Sequence, residues 1–281
     1  MSSTDEVGAM RRAIALSALG LGTTSPNPPV GCVVLDSAGR PVGEGYHRRK
    51  GESHAEVHAL VAAGDRARGG TAVVTLEPCN HFGRTPPCHQ ALIDAGVARV
   101  VVAVIDPTSR GAGGVARLRA AGVDVQVGLL EDEALVVLGP WLGALRMGRP
   151  RVTWACGGDG FALLPDAVVS ELRFRVDAVV GADGRVEEGV PGSHGVDVLT
   201  LPTTVPTAEP TVALAALYDA GARMVLLHGG QELAGPFVAG RVVDEVVAMV
   251  EPSHDADSSL AGFGFKSVRK LDGGVLVTMT A

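Results

Sequence analysis

Aromatic residues are scarce in this 281-residue chain, at 4% of the total, so its core cannot rest on large rings. Glycine, alanine and valine are abundant instead, and 46% of residues are hydrophobic, a mixture suited to short alternating strands and helices packed through small side chains. No apolar run approaches the roughly 20 residues needed to cross a bilayer as a helix, so no membrane partner is expected. The polar start, Met1 to Asp5, leads into a helical pattern and shows no signal peptide; a cytoplasmic location is expected. Basic charge is also short, with 24 Lys and Arg against 31 Asp and Glu. The formal net charge of −7 argues against a nucleic-acid surface but leaves room for a small anionic ligand held by local cations. The four cysteines make a poor disulfide framework. In a reducing compartment, clustered cysteines more often bind metal or do chemistry, and only Cys79 and Cys88 are clustered. Cys32 and Cys156 read as packing residues.

The length permits two compact domains of ordinary size. An amphipathic helix over 5–19, with Val7, Met10, Ile14 and Ala18 near one face, is broken by Ser25-Pro26-Asn27-Pro28-Pro29. A strand over 30–35, a turn at Asp36-Ser37-Ala38-Gly39 and a returning strand near Tyr46 follow. Helices over 54–63, 88–95 and 114–121 then alternate with strands over 71–76, 99–105 and 123–127. That alternation predicts an α/β unit, a mixed sheet with helices on both faces. A helix over 131–147 ends it, and Gly148-Arg149-Pro150 is a plausible linker, which gives domains of 1–148 and 149–281. The second series has strands over 152–155, 178–180, 196–201 and 223–227, and helices over 166–174, 212–220 and 231–238. Strands near 246–250, 265–271 and 275–280 close it, and no internal repeat links the two halves.

The chemistry lies in His54-Ala55-Glu56, in Pro78-Cys79 at a strand end, and in Cys88. One imidazole and two thiolates leave one position of a tetrahedral zinc open for water. Cys88 opens a predicted helix, whose N-terminus favours the thiolate form. Glu56 stands at the offset from the first ligand found in zinc deaminases, where the glutamate moves protons and does not bind metal. Zinc-bound hydroxide would attack the ring carbon bearing the amino group, while Glu56 carries the proton to the ring nitrogen and then to departing ammonia. A structural zinc knuckle usually supplies four protein ligands, against three here, and a non-catalytic zinc scaffold has no need of the carboxylate. His58, His81 and His89 exceed the ligand count and read as supporting or surface groups.

Four stretches carry a family resemblance: Pro26-Asn27-Pro28-Pro29-Val30-Gly31-Cys32, Gly43-Glu44-Gly45-Tyr46-His47, His54-Ala55-Glu56-Val57-His58-Ala59-Leu60, and Thr75-Leu76-Glu77-Pro78-Cys79-Asn80-His81 running on to Cys88. Over most of residues 5–128 the chain resembles the bifunctional deaminase/reductase family of riboflavin biosynthesis. The resemblance implies a cytidine-deaminase-like domain that deaminates 2,5-diamino-6-hydroxy-4-(5-phosphoribosylamino)pyrimidine, in a homo-oligomer. It also implies substrate contacts at Asn27, His47, Ala55, Arg84 and Asp106. Asn27, between prolines, has a stiff backbone and an amide able to read a pyrimidine edge; His47 suits the ring or ribose, and Arg84 the phosphate. After Asp106-Pro107 the family usually continues with Asn, whereas this chain has Thr108-Ser109-Arg110-Gly111-Ala112-Gly113-Gly114. That departure alters a substrate contact and leaves a related pyrimidine open as the substrate.

In the second half, Val176-Asp177-Ala178-Val179-Val180-Gly181-Ala182-Asp183-Gly184 and Leu226-Leu227-His228-Gly229-Gly230-Gln231 resemble parts of the family's reductase. They imply a dihydrofolate-reductase-like α/β domain, with NADPH as cofactor if that domain is active. Gly229-Gly230, at a strand-to-helix turn, is the candidate phosphate approach, although most such pairs are only tight turns. The family's Lys and Ser-Leu-Asp-Gly stretch is replaced by Ala155-Cys156-Gly157-Gly158-Asp159-Gly160, and its paired aspartates by Gly189-Val190. His228 replaces an acidic residue, and Glu187-Glu188 places two negative charges where a phosphorylated cofactor should lie. The expectation is a reductase-like domain that has lost catalysis, the rival being a bifunctional enzyme with a rearranged cofactor loop.

Overall fold

Acidic Asp5 and Glu6 complement the dipole at the start of α1 (Thr4–Ser17), and Met10, Ala13 and Leu16 bury one of its faces. The computed structural model describes residues 4–80, 86–109, 111–157, 164–250, 262–271 and 274–281. They form two units, Met1–Gly139 and Pro140–Ala281.

In the first unit α1 is followed by a hairpin of β1 (Gly31–Leu35) and β2 (Pro41–Tyr46), then α2 (Ala55–Ala63) and β3 (Thr71–Leu76). Next come α3 (Cys88–Asp94), β4 (Arg99–Val104), α4 (Gly113–Ala120) and β5 (Asp124–Val127); α5 (Glu131–Met147) contains the division between the units. The sheet order is β2-β1-β3-β4-β5. β1 pairs antiparallel with β2 and β3, whereas β3, β4 and β5 run parallel, the mixed sheet that alternation predicts. β1 is buried along its whole length, and β3 and β4 at every position after the first, as strands covered on both faces must be. Because β3 and β4 are parallel neighbours, with Leu76 opposite Val104, their carboxyl ends open on the same side of the sheet.

Small residues let helices lie close to this sheet. A Cβ on Gly31 would stand 2.0 Å from the Ala13 carbonyl oxygen of α1, and one on Gly45 would stand 2.5 Å from the Ala55 carbonyl oxygen of α2. The glycine-rich, aromatic-poor composition is thus used to bring backbones together.

The second unit has β6 (Arg151–Gly157), α6 (Asp166–Arg173), β7 (Ala178–Gly181), β8 (Val186–Glu188), α7 (Pro210–Asp219) and β9 (Met224–His228). It ends with α8 (Gln231–Ala239), β10 (Glu245–Val250), β11 (Gly264–Leu271) and β12 (Gly274–Thr280). Its sheet order is β11-β12-β10-β6-β9-β7-β8, parallel from β10 to β7 and antiparallel at both edges. Trp154, Leu214, Leu217, Leu227 and Phe237 fill its core.

The strand expected over 196–201 does not form. Val196 is 90% exposed, Gly195 has φ +93° and Asp197 φ +58°, so left-handed backbone interrupts an apolar-rich run that looked extended. The edge strand beside β7 is instead the three-residue β8, which buries only Val186. Among the described residues no helix is long and apolar enough to cross a membrane.

Candidate metal centre

Three elements converge on one point of the first unit. His54 is the N-cap of α2, with extended backbone at φ −75° and ψ 167° and no side-chain hydrogen bond to the helix end. Cys79 follows the end of β3 after Glu77-Pro78, and Cys88 begins α3 directly after Pro87. The ligand atoms of His54, Cys79 and Cys88 all lie within 4.8 Å of one another. A tetrahedral ion with bonds of about 2.0–2.3 Å keeps its donors at comparable separations, so the donor set and its spacing suit zinc.

Hydrogen bonds already order the cluster. Nδ1 of His54 lies 3.2 Å from Cys88 Sγ, and the Cys88 backbone N–H donates to Cys79 Sγ at 3.3 Å. The Cys79 thiol pKa is lowered to about 4, chiefly by the hydrogen bond from the Cys88 thiol. Cys88 is pushed well above its usual range, first by that same bond to Cys79 and then by burial. The N–H at the start of α3 is thus aimed at Cys79 Sγ. His54 is raised, foremost by its hydrogen bond with Cys79.

Glu56, in the first turn of α2, is 3% exposed, and burial raises its pKa to about 7. Fully buried Cys32 is pushed up by its own burial and then by the charge of Glu56. Beside the cluster, the His47 ring meets the His54 ring edge-on, at 5.0 Å between centroids. Nδ1 of His47 faces the Ser53 carbonyl and Nε2 faces Asn27 Nδ2, each at 3.3 Å. Burial, then the neighbouring His54, lowers the His47 pKa to about 4. A neutral ring fits both contacts, donating from Nδ1 and accepting at Nε2.

The structure therefore gathers Asn27, His47, His54, Glu56, Cys79 and Cys88 in one region, and Ala55, fully buried, lies within it as the first residue of α2. Asp106 stands just beyond β4, where its Oδ1 accepts from the Thr108 N–H and hydroxyl at 2.8 and 2.7 Å. Arg84 and His81 lie outside the described residues. His89 has a supporting role: its Nδ1 sits 3.1 Å from the Cys79 carbonyl oxygen. Glu77, 5% exposed, lies within the stretch that leads to Cys79 but was given no role from the sequence; an acidic residue continuing the apolar run of β3 is the further signal.

In the second unit Gly229-Gly230 does form a strand-to-helix turn, and its carbonyls bond within the unit. The Gly229 carbonyl accepts from Trp154 Nε1 at 3.0 Å, and the Gly230 carbonyl accepts from the Leu233 and Ala234 N–H groups. His228 ends β9; its buried Nε2 has no partner among the described residues, and burial lowers its pKa. The two acids expected to repel a cofactor each have a local partner. Glu187 pairs with Arg173 at 3.0 Å, and Glu188 meets the buried His194, whose other ring nitrogen faces Asp177 at 3.2 Å.

Comparison with known proteins agrees with this geometry. Residues 3–104 match the cytidine and deoxycytidylate deaminase zinc-binding region, and residues 173–254 match the RibD C-terminal domain. The first half thus carries a zinc-binding deaminase domain, and the second a reductase-type domain whose family implies NADPH. The riboflavin biosynthesis protein RibD of Escherichia coli is 54% identical over 149 residues, a match spanning 53% of this chain and 40% of that protein. RibD of Mycobacterium tuberculosis is 38% identical across 90% of this chain and 86% of its own length. The Thermotoga maritima structure of a diaminohydroxyphosphoribosylaminopyrimidine deaminase/5-amino-6-(5-phosphoribosylamino)uracil reductase superposes with a TM-score of 0.81 at 26% identity, covering 98% of both chains. Matched in each half and along nearly its whole length, the chain belongs to the RibD family of riboflavin biosynthesis proteins.

Proposed function

We propose that the first unit hydrolytically deaminates 2,5-diamino-6-hydroxy-4-(5-phosphoribosylamino)pyrimidine, with His54, Cys79 and Cys88 as zinc ligands and Glu56 as proton shuttle. The observation that carries this reading is a carboxylate sealed from solvent beside a three-donor cluster. Zinc bound there supplies Lewis-acid activation of the attacking water. With a pKa of about 7, Glu56 both takes and gives a proton near neutral pH. It accepts the proton that the attacking water loses and delivers it to the ring nitrogen, then takes the proton of the added hydroxyl and delivers it to the departing amine. Neutral His47 holds the Asn27 amide from one side, which leaves the amide's oxygen to read the pyrimidine edge. Asp106 and Arg84 complete the proposed substrate contacts. The paired thiols suit a reducing compartment, which supports a cytoplasmic location.

The decisive variant is Glu56→Ala. Zinc stays bound, while ammonia release from the phosphoribosylated diaminopyrimidine falls by about 10²–10⁴-fold. Retained activity would remove Glu56 from the mechanism. Ammonia release by the intact protein from other aminopyrimidines only would replace the substrate.

We read the second unit as a reductase-like domain without reductase activity. NADPH does not fit its described residues. The cleft at the carboxyl ends of β7 and β9 holds about 270 Å³ and is lined by Arg173, Asp183, Arg185, Glu187 and His228. Ligand sites usually occupy roughly 300–1,000 Å³, and here the cations that could meet a cofactor phosphate, Arg173 and Arg185, are already paired with Glu187 at 3.0 Å and Asp183 at 3.8 Å. No reduction step is assigned to this chain.

A further inference from the structure

Glu77 is buried two residues before Cys79, and its carboxylate is bound by the segment that follows β4. Oε2 accepts from the Ser109 hydroxyl and Oε1 from the Val115 N–H, both at 2.9 Å. The Glu77 N–H donates to the Val104 carbonyl at 2.8 Å, so the turn leaving β4 begins beside the peptide that leads to Cys79. Two glycines permit the contact. Gly113, at φ +75°, would place a Cβ 2.3 Å from Glu77 Oε1, and Gly114 would place one 1.9 Å from the Pro78 carbonyl oxygen. The start of α4 therefore lies flat on Glu77-Pro78, while Asp106 and Thr108 close the intervening turn.

We infer that Glu77 is a positioning residue: it holds the Asp106–Ser109 turn and the Gly113–Val115 start of α4 as one wall of the substrate cleft. Ser109 and Gly113 are its fixed counterparts. The stretch that departs from the family pattern is thus anchored by the peptide carrying a metal ligand, and it governs which pyrimidine enters. This inference rests on the deaminase reading of the first unit. A carboxylate serves because it accepts from both ends of the segment at once, and removing it leaves a buried N–H and a hydroxyl without their acceptor.

The test compares full-length Glu77→Ala, Glu77→Gln and Ser109→Ala for zinc content, for KM and kcat of ammonia release, and for amide exchange at Val115. Glu77→Ala keeps its zinc, raises KM by about tenfold or more and leaves kcat within about threefold, since a positioned wall acts on binding. Val115 exchange accelerates in the same variant. Glu77→Gln keeps an oxygen for Val115 and restores KM to within about threefold of the original protein, whereas Ser109→Ala raises KM by about 3–10-fold. An unchanged KM in Glu77→Ala, or a loss of zinc that accounts for its defect, overturns the inference. If Glu77→Ala does not fold, Ser109→Ala decides by the same KM criterion. If the unaltered protein releases no ammonia from the pyrimidine, the deaminase reading fails separately, while Val115 exchange still judges the anchor.

Discussion

At the scale of single residues, His47 shows how burial sets a protonation state that function needs. The unfolded chain protonates this histidine near 6.5, the folded chain only near about 4. Between those values the unfolded state binds more protons, so stability rises with pH and is lost as pH falls. From pH 7 to pH 5 the cost of keeping His47 neutral is ~2 kcal/mol. Urea unfolding of chelator-treated protein at the two pH values measures it, with His47→Gln as the reference. The variant is expected to lose ~2 kcal/mol less than the original protein over that interval, because His54, with its raised pKa, is common to both. Equal losses would mean that His47 takes up its proton in the folded chain as readily as in the unfolded one. That His54, Cys79 and Cys88 converge was legible because metal chemistry dictates their types and offsets. That the Cys88 N–H is aimed at Cys79 Sγ was not, since it depends on how α3 begins.

Elements decide whether those residues meet. α2 carries Glu56 and is capped by His54, and it reaches the sheet through Gly43 and Gly45 of β2. A Cβ on Gly45 would meet the Ala55 carbonyl at 2.5 Å and the Ala59 nitrogen at 2.6 Å, both backbone atoms of a packed helix. Gly45→Ala is therefore expected to push α2 outward, destabilise the first unit by about 1–3 kcal/mol and weaken zinc retention against a chelator. Chemical denaturation and a zinc-competition titration check the two effects together. An alanine tolerated in both would show that α2 is free to shift without disturbing His54. The sequence placed most helices and strands to within a residue or two, because buried strands read as apolar runs and α1 carries a clear face. It failed at 196–201 for a local reason. Val196, Val198, Leu199 and Leu201 make an apolar-rich run like a strand, but left-handed backbone at Gly195 and Asp197 turns the chain, and Val196 faces solvent.

For the whole molecule, family membership and reductase activity are separate questions. The family pairs a deaminase with a reductase, and both folds are present here. A fold supports chemistry only where its site does. In the second unit the Arg173–Glu187 pair lines the cleft, and His194 ties Asp177 to Glu188. Sequence alone showed the missing residues. It could not show that Glu187 and Glu188 had been drawn into pairs, which makes the altered region a settled packing arrangement and not a repulsive one. The expected outcome follows when the protein is given the phosphoribosylated diaminopyrimidine together with NADPH. Ammonia is released, the deaminated uracil product accumulates, and NADPH absorbance stays constant. Reduction of that product then falls to a separate NADPH-dependent reductase, and adding one should consume one NADPH for each ammonia already released. NADPH oxidation by this chain alone, in step with loss of the deaminated product, would instead establish a working reductase site in the second unit.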